Sequence, residues 1–116
     1  MRRRLALFAV LSLAVPLAAL PNGPAAAADA AEVKLTLKDH KFTPAEVTIP
    51  ANTRVKFLVT NADATAAEFE SDDFKAEKVL PPGKETIVMV GPLKPGSYEF
   101  HDEYHEAPSK SRLIVK

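Results

Sequence analysis

Glu32-Val33-Lys34-Leu35-Thr36-Leu37-Lys38 alternates apolar with polar residues, and this period of two puts Val33, Leu35 and Leu37 on one face of a half-buried strand. The alternation breaks at Asp39-His40-Lys41-Phe42-Thr43-Pro44, where Pro44 fixes its own φ and drives Thr43 out of the helical region. It resumes over Val47-Thr48-Ile49. Pro50-Ala51-Asn52 has turn chemistry, with Asn52 able to take a left-handed conformation. Arg54 to Asn61 then predicts a third strand with Val55, Phe57 and Val59 inward.

Ala62 to Ala67 is small and polar, a loop, and Glu68-Phe69-Glu70-Ser71 reads as a brief strand with both glutamates on one side and Phe69 on the other. Asp72 to Leu80 is mixed, with room for a helical turn, before the firm stop at Pro81-Pro82-Gly83. Glu85 to Val90 predicts a strand with Ile87 and Met89 as core candidates. A turn at Leu93-Lys94-Pro95-Gly96, a strand carrying Tyr98 and Phe100, a loop from Asp102 to Lys110 and a closing strand at Leu113-Ile114-Val115 complete the chain. About seven short strands with almost no helical signal predict an all-β, two-sheet antiparallel sandwich without repeats or a second domain.

The first stretch stands apart from this pattern. Met1-Arg2-Arg3-Arg4, the apolar run Leu5 to Leu20 and Ala25-Ala26-Ala27-Ala28 form a basic start, an apolar middle and a small-residue end, as in a secretory signal. Residues 1–28 are therefore expected to be cleaved, leaving a domain over 29–116. Pro16 interrupts the run, which is shorter than the roughly 20 apolar residues of a spanning helix, so no transmembrane segment is expected in the mature chain.

Composition narrows the functions. The 116 residues are 47% hydrophobic and 26% charged, within reach of one core. Of 15 basic residues three are arginines of the signal, leaving 12 against 15 acids, a formal charge of −3 that offers nothing to nucleic acid. The chain has no cysteine, hence no disulfide, no thiolate ligand and no lipoprotein anchor. Nucleophilic catalysis lacks both a serine elbow and a cysteine.

Acids and imidazoles gather in two places: Glu68 with Glu70, and the run His101-Asp102-Glu103-Tyr104-His105-Glu106. Oxygen and nitrogen donors of this kind suit iron, manganese, zinc and oxidised copper. An acidic surface loop without a metal is the competing reading.

Gly96-Ser97-Tyr98-Glu99-Phe100-His101-Asp102-Glu103-Tyr104-His105 resembles the blue-copper signature of cupredoxins, an aromatic strand running into Cys-x-x-His, with Asp102 in the place of the cysteine and His105 in the place of the histidine. Glu106 to Arg112 contains no methionine, and Glu68 is read as replacing the other histidine of the copper site. Phe42 to Pro50 and Val55 to Asn61 are similar to the opening strands of that family, which implies a cupredoxin-like Greek-key β-sandwich. Glu68-Phe69-Glu70-Ser71, Glu77-Lys78-Val79 and Asp102 to His105 resemble the small periplasmic cupredoxin-like proteins of ferrous iron uptake, related to the EfeO cupredoxin domain and FtrB.

That resemblance implies a periplasmic accessory with a non-blue copper or iron site, working beside an iron permease of the inner membrane and a periplasmic iron-binding partner. It implies Glu68 and Asp102 as oxygen ligands and His105 as nitrogen ligand, with Glu103, Glu70 and His101 as further ligands or their hydrogen-bond partners. His40 is expected near the same end of the sandwich. A small copper-dependent ferroxidase and a metal-free interaction module are the alternatives.

Overall fold

A computed structural model describes residues 31–116; the expected signal, residues 1–28, lies outside the described residues. Among the described residues nine strands follow one another: β1 (Glu32–Lys38), β2 (Lys41–Thr43), β3 (Glu46–Ile49), β4 (Val55–Asn61), β5 (Ala67–Ser71), β6 (Ala76–Leu80), β7 (Glu85–Val90), β8 (Gly96–Asp102) and β9 (Ser111–Val115). Between β8 and β9, a 3-10 turn (Glu103–His105) runs into one turn of helix, α1 (Glu106–Ser109), where the sequence predicted only a loop.

The strands form a four-stranded sheet in the order β2-β1-β4-β7 and a five-stranded sheet in the order β3-β9-β8-β5-β6. The chain crosses between sheets after β2, β3, β4, β6 and β7. The sheets are mixed rather than purely antiparallel, because β1 lies parallel to β4 and β3 parallel to β9. Parallel neighbours need long connections, which is why consecutive hairpins alone do not describe this sandwich.

The alternating residues of β1 and β4 face inward as predicted, with Leu35, Leu37, Val55, Phe57 and Val59 buried. From the other sheet come Val47, Ile49, Phe69, Leu80, Phe100, Leu113 and Val115. Four phenylalanines tie the layers together: the Phe69 and Phe100 rings stack at 5.2 Å, Phe42 meets them edge-on at 5.9 and 5.3 Å, and Phe57 does so at 6.1 and 6.4 Å. Edge-to-face contacts let the positive ring edge meet the negative face, adding to the burial of these large side chains.

Two expectations shift. Ile87 and Met89 are exposed at 51% and 39%, whereas Val88 and Val90 are buried. Ile87-Val88-Met89-Val90 is apolar in both phases of the alternation, and the pairing of Phe57 with Val88 selects the other one. The segment read as mixed contains edge strand β6, which buries only Leu80 and so shows no alternation.

Two loops position the chemistry. Buried Asn61 donates from Nδ2 to the carbonyls of Thr65 and Leu80, each at 2.9 Å, and its Oδ1 accepts the Asp63 N–H at 3.0 Å. Asp63 in turn accepts the N–H groups of Asp39 at 2.7 Å and His40 at 3.1 Å. Those two residues link β1 to β2 with φ of 50° and 59°, a two-residue hairpin turn with both residues left-handed.

Candidate metal centre

Asp102 is the last residue of β8, and its carboxyl group is completely shielded from water. Its Oδ1 accepts two main-chain N–H groups, from Glu68 and Tyr104, each at 3.0 Å, the second capping the 3-10 turn. That leaves Oδ2 facing His105 Nδ1 at 3.2 Å. Behind it, buried Ser109 receives the Asp102 N–H at 2.7 Å and donates toward the His105 carbonyl at 2.7 Å, drawing the returning helix against β8. Burying a carboxylate is costly unless donors surround it, and here the backbone supplies them.

His40 arrives from the opposite sheet on the left-handed hairpin turn. Its ring stacks on that of His105 with centroids 3.6 Å apart and planes 15° apart, and each side chain keeps 38% of its surface exposed. One donor atom from each of His40, Asp102 and His105 lies within 4.8 Å of the others. Asp63 stands behind His40, with Oδ2 3.6 Å from Nδ1. Burial alone pushes the Asp63 carboxyl up, but the amides of His40 and Asp39, with the two imidazoles, outweigh it and hold it below the usual value.

A second group lies on the outer face of the five-stranded sheet. Glu70 on β5 sits directly opposite His101 on β8. His101 Nε2 approaches Glu103 Oε2 at 2.9 Å, and one donor atom from each of the three residues falls within 4.8 Å of the others. A hydrogen bond to Glu103, with burial and the nearby carboxylates, pushes Glu70 up to about 7. Glu103 is held low, chiefly by its bond to His101 and then by that from Glu70. Burial alone would lower His101, but Glu103 and the surrounding acids raise it.

Of the residues the sequence singles out, Asp102 and His105 come together, and Glu70, His101 and Glu103 form a separate group. Glu68 joins neither through its carboxylate. Its main-chain N–H holds Asp102, while its side chain points outward beside Glu77 and Tyr104, raising both chiefly by hydrogen bonding. The inward residue at that point of β5 is buried Ala67. The donor given least weight from sequence is His40, and the missed signal is Asp39-His40 between two short strands, a pair suited to a left-handed turn. A shallow cleft elsewhere, lined among others by Glu46, Asp73, Tyr98, Lys110 and Arg112, contains none of His40, Asp102 and His105.

The fold is shared with known copper proteins. Auracyanin A, a "blue" copper protein of Chloroflexus aurantiacus, is similar with a TM-score of 0.65 at 13% identity over 73% of this chain and 98% of its own. A purple cupredoxin of Nitrosopumilus maritimus gives 0.54 at 17% identity over 72% and 99%. The metal-binding domain of the Cu(I)-exporting ATPase of Streptococcus pneumoniae gives 0.63 at 11% identity over 73% and 84%. In sequence, an uncharacterised protein of Rickettsia prowazekii is 41% identical over 95 residues, 81% of this chain and 76% of that protein. The family model described as cupredoxin-like domain matches residues 5–115.

Proposed function

The chain belongs to the cupredoxin-like domain family, and from that premise we propose that it binds copper through His40, Asp102 and His105, as an exported accessory of ferrous iron uptake. The observation that carries the reading is the Oδ2 of a fully buried aspartate, the oxygen not taken up by the Glu68 and Tyr104 amides, facing His105 Nδ1 at 3.2 Å beneath a second imidazole. Ligands about 2 Å from one ion stand about 3 Å apart, so this pair suits a shared cation. With no cysteine in the chain, the set would be two nitrogens and one oxygen, which suits Cu(II) and lacks the thiolate of a blue centre.

Bound copper supplies a one-electron couple, and the carboxylate favours its oxidised state. The protein's part is to hold the donors in place. Asp63 fixes the His40 loop, the Glu68 and Tyr104 amides fix Asp102, and Ser109 holds the main chain that carries His105. Preorganised donors need little rearrangement on binding, which raises affinity. The half-exposed imidazoles leave one side of the site open to a partner. On this reading the signal exports the chain to the periplasm, where its partners are an iron permease of the inner membrane and a periplasmic iron-binding protein.

Titration of the purified protein with Cu(II), followed by electron paramagnetic resonance and absorbance, is expected to show binding at this site without an intense blue band. Asp102→Asn with His105→Ala is expected to abolish it; wild-type copper affinity in that variant would refute the site. Unchanged ferrous uptake in cells lacking the protein would refute the transport role.

A further inference from the structure

We infer that Glu70, His101 and Glu103 form a second cation site, separate from the copper centre, for a hard or borderline ion such as Fe(III), Mn(II) or Zn(II). It does not depend on the copper reading. The two donor sets share no residue, and adjacent side chains on a strand leave it on opposite faces, so His101 and Asp102 serve different sides of β8. Glu70 and His101 are direct cross-strand partners, the closest placement two side chains on one sheet face can have.

The observation that points to a ligand is His101 itself. It is only 4% exposed, its Nε2 is aimed at Glu103 at 2.9 Å, and its Nδ1 is buried with no hydrogen-bond partner. Buried polar atoms are normally satisfied, and an orphaned imidazole nitrogen asks for an explanation. A ring nitrogen of His101 also comes within 4.8 Å of carboxylate oxygens of Glu99 and Glu106, so the ring lies among two pairs of acids. Among the described residues every ion pair involves a histidine, and no lysine or arginine neutralises these carboxylates. Two carboxylates facing one imidazole, with no lysine or arginine paired to them among the described residues, are a donor set for an external hard or borderline cation, which on binding would displace the proton that His101 and its acids otherwise share.

Zn(II) is the probe. Calorimetric titration of the purified protein is expected to show binding that weakens tenfold or more in Glu70→Gln with Glu103→Gln, isosteric changes at a half-buried and an exposed position, with the amide NMR spectrum reporting an intact fold. In the Asp102→Asn, His105→Ala background, Zn(II) is expected still to shift the ring nitrogen resonances of His101. Static His101 resonances on Zn(II) addition, or unchanged Zn(II) binding in the Glu70→Gln, Glu103→Gln protein, would overturn the proposal. Copper retained in the Asp102→Asn, His105→Ala protein would count against the copper centre alone.

Discussion

Asp102 and His101 are neighbours in one strand, yet their surroundings differ in kind. Asp102 is enclosed at the end of the sandwich and held by main-chain N–H groups whose positions the fold dictates. His101 and its acids lie on the outer face, where side chains answer to one another and to protons. One region is therefore set by backbone geometry and the other by titration. The first should respond to mutation mainly through stability and copper affinity, the second mainly through pH and added cations.

The largest effect that would break this contrast concerns Asp102. Asp102→Ala leaves the Glu68 and Tyr104 amides without their acceptor, so stability should fall by about 2–4 kcal/mol in chemical denaturation, with copper binding lost. A loss near zero would show that the cage is not structural. Next comes Asp63→Ala, which frees the Asp39 and His40 amides. Stability should fall by about 1–2 kcal/mol and copper affinity by about tenfold, measured by denaturation and by competition with a chelator. Because the folded Asp63 carboxyl is held below 3.8, its contribution is present at neutral pH and lost as pH falls through that lowered value.

The outer face should behave otherwise. Glu103→Gln should leave stability close to unchanged in chemical denaturation, as expected of an exposed side chain. Its signature is in titration: carbon NMR should place the Glu70 midpoint near 7 in the wild type and return it toward 4.5 in the variant. A raised carboxyl binds its proton more tightly when folded, so its favourable contribution is present at acid pH and lost as pH rises toward 7. An unshifted Glu70 midpoint in the wild type would dissolve the distinction between the two regions.

The architecture was legible because β1 and β4 each alternate and bury one face, and a period of two has no other economical reading. It was illegible at β7, where both phases are apolar, and at β6, where an edge strand buries a single side chain. Asp102 and His105 could be read because they lie three positions apart in the sequence. His40 could not be ranked, since it reaches them from another sheet through a hairpin whose turn is fixed by Asp63, a residue with no local mark of that role. Glu68 misled because its main chain serves the centre while its carboxylate faces away.

Position 40 also bears on how such a protein drifts over generations. With φ of 59°, its backbone favours glycine, and any side chain there sits at a conformational disadvantage of about 1 kcal/mol. Selection for robustness alone would drift toward His40→Gly, a sturdier molecule with one imidazole fewer. A histidine in such a conformation is what a trade of durability for chemistry looks like at one residue.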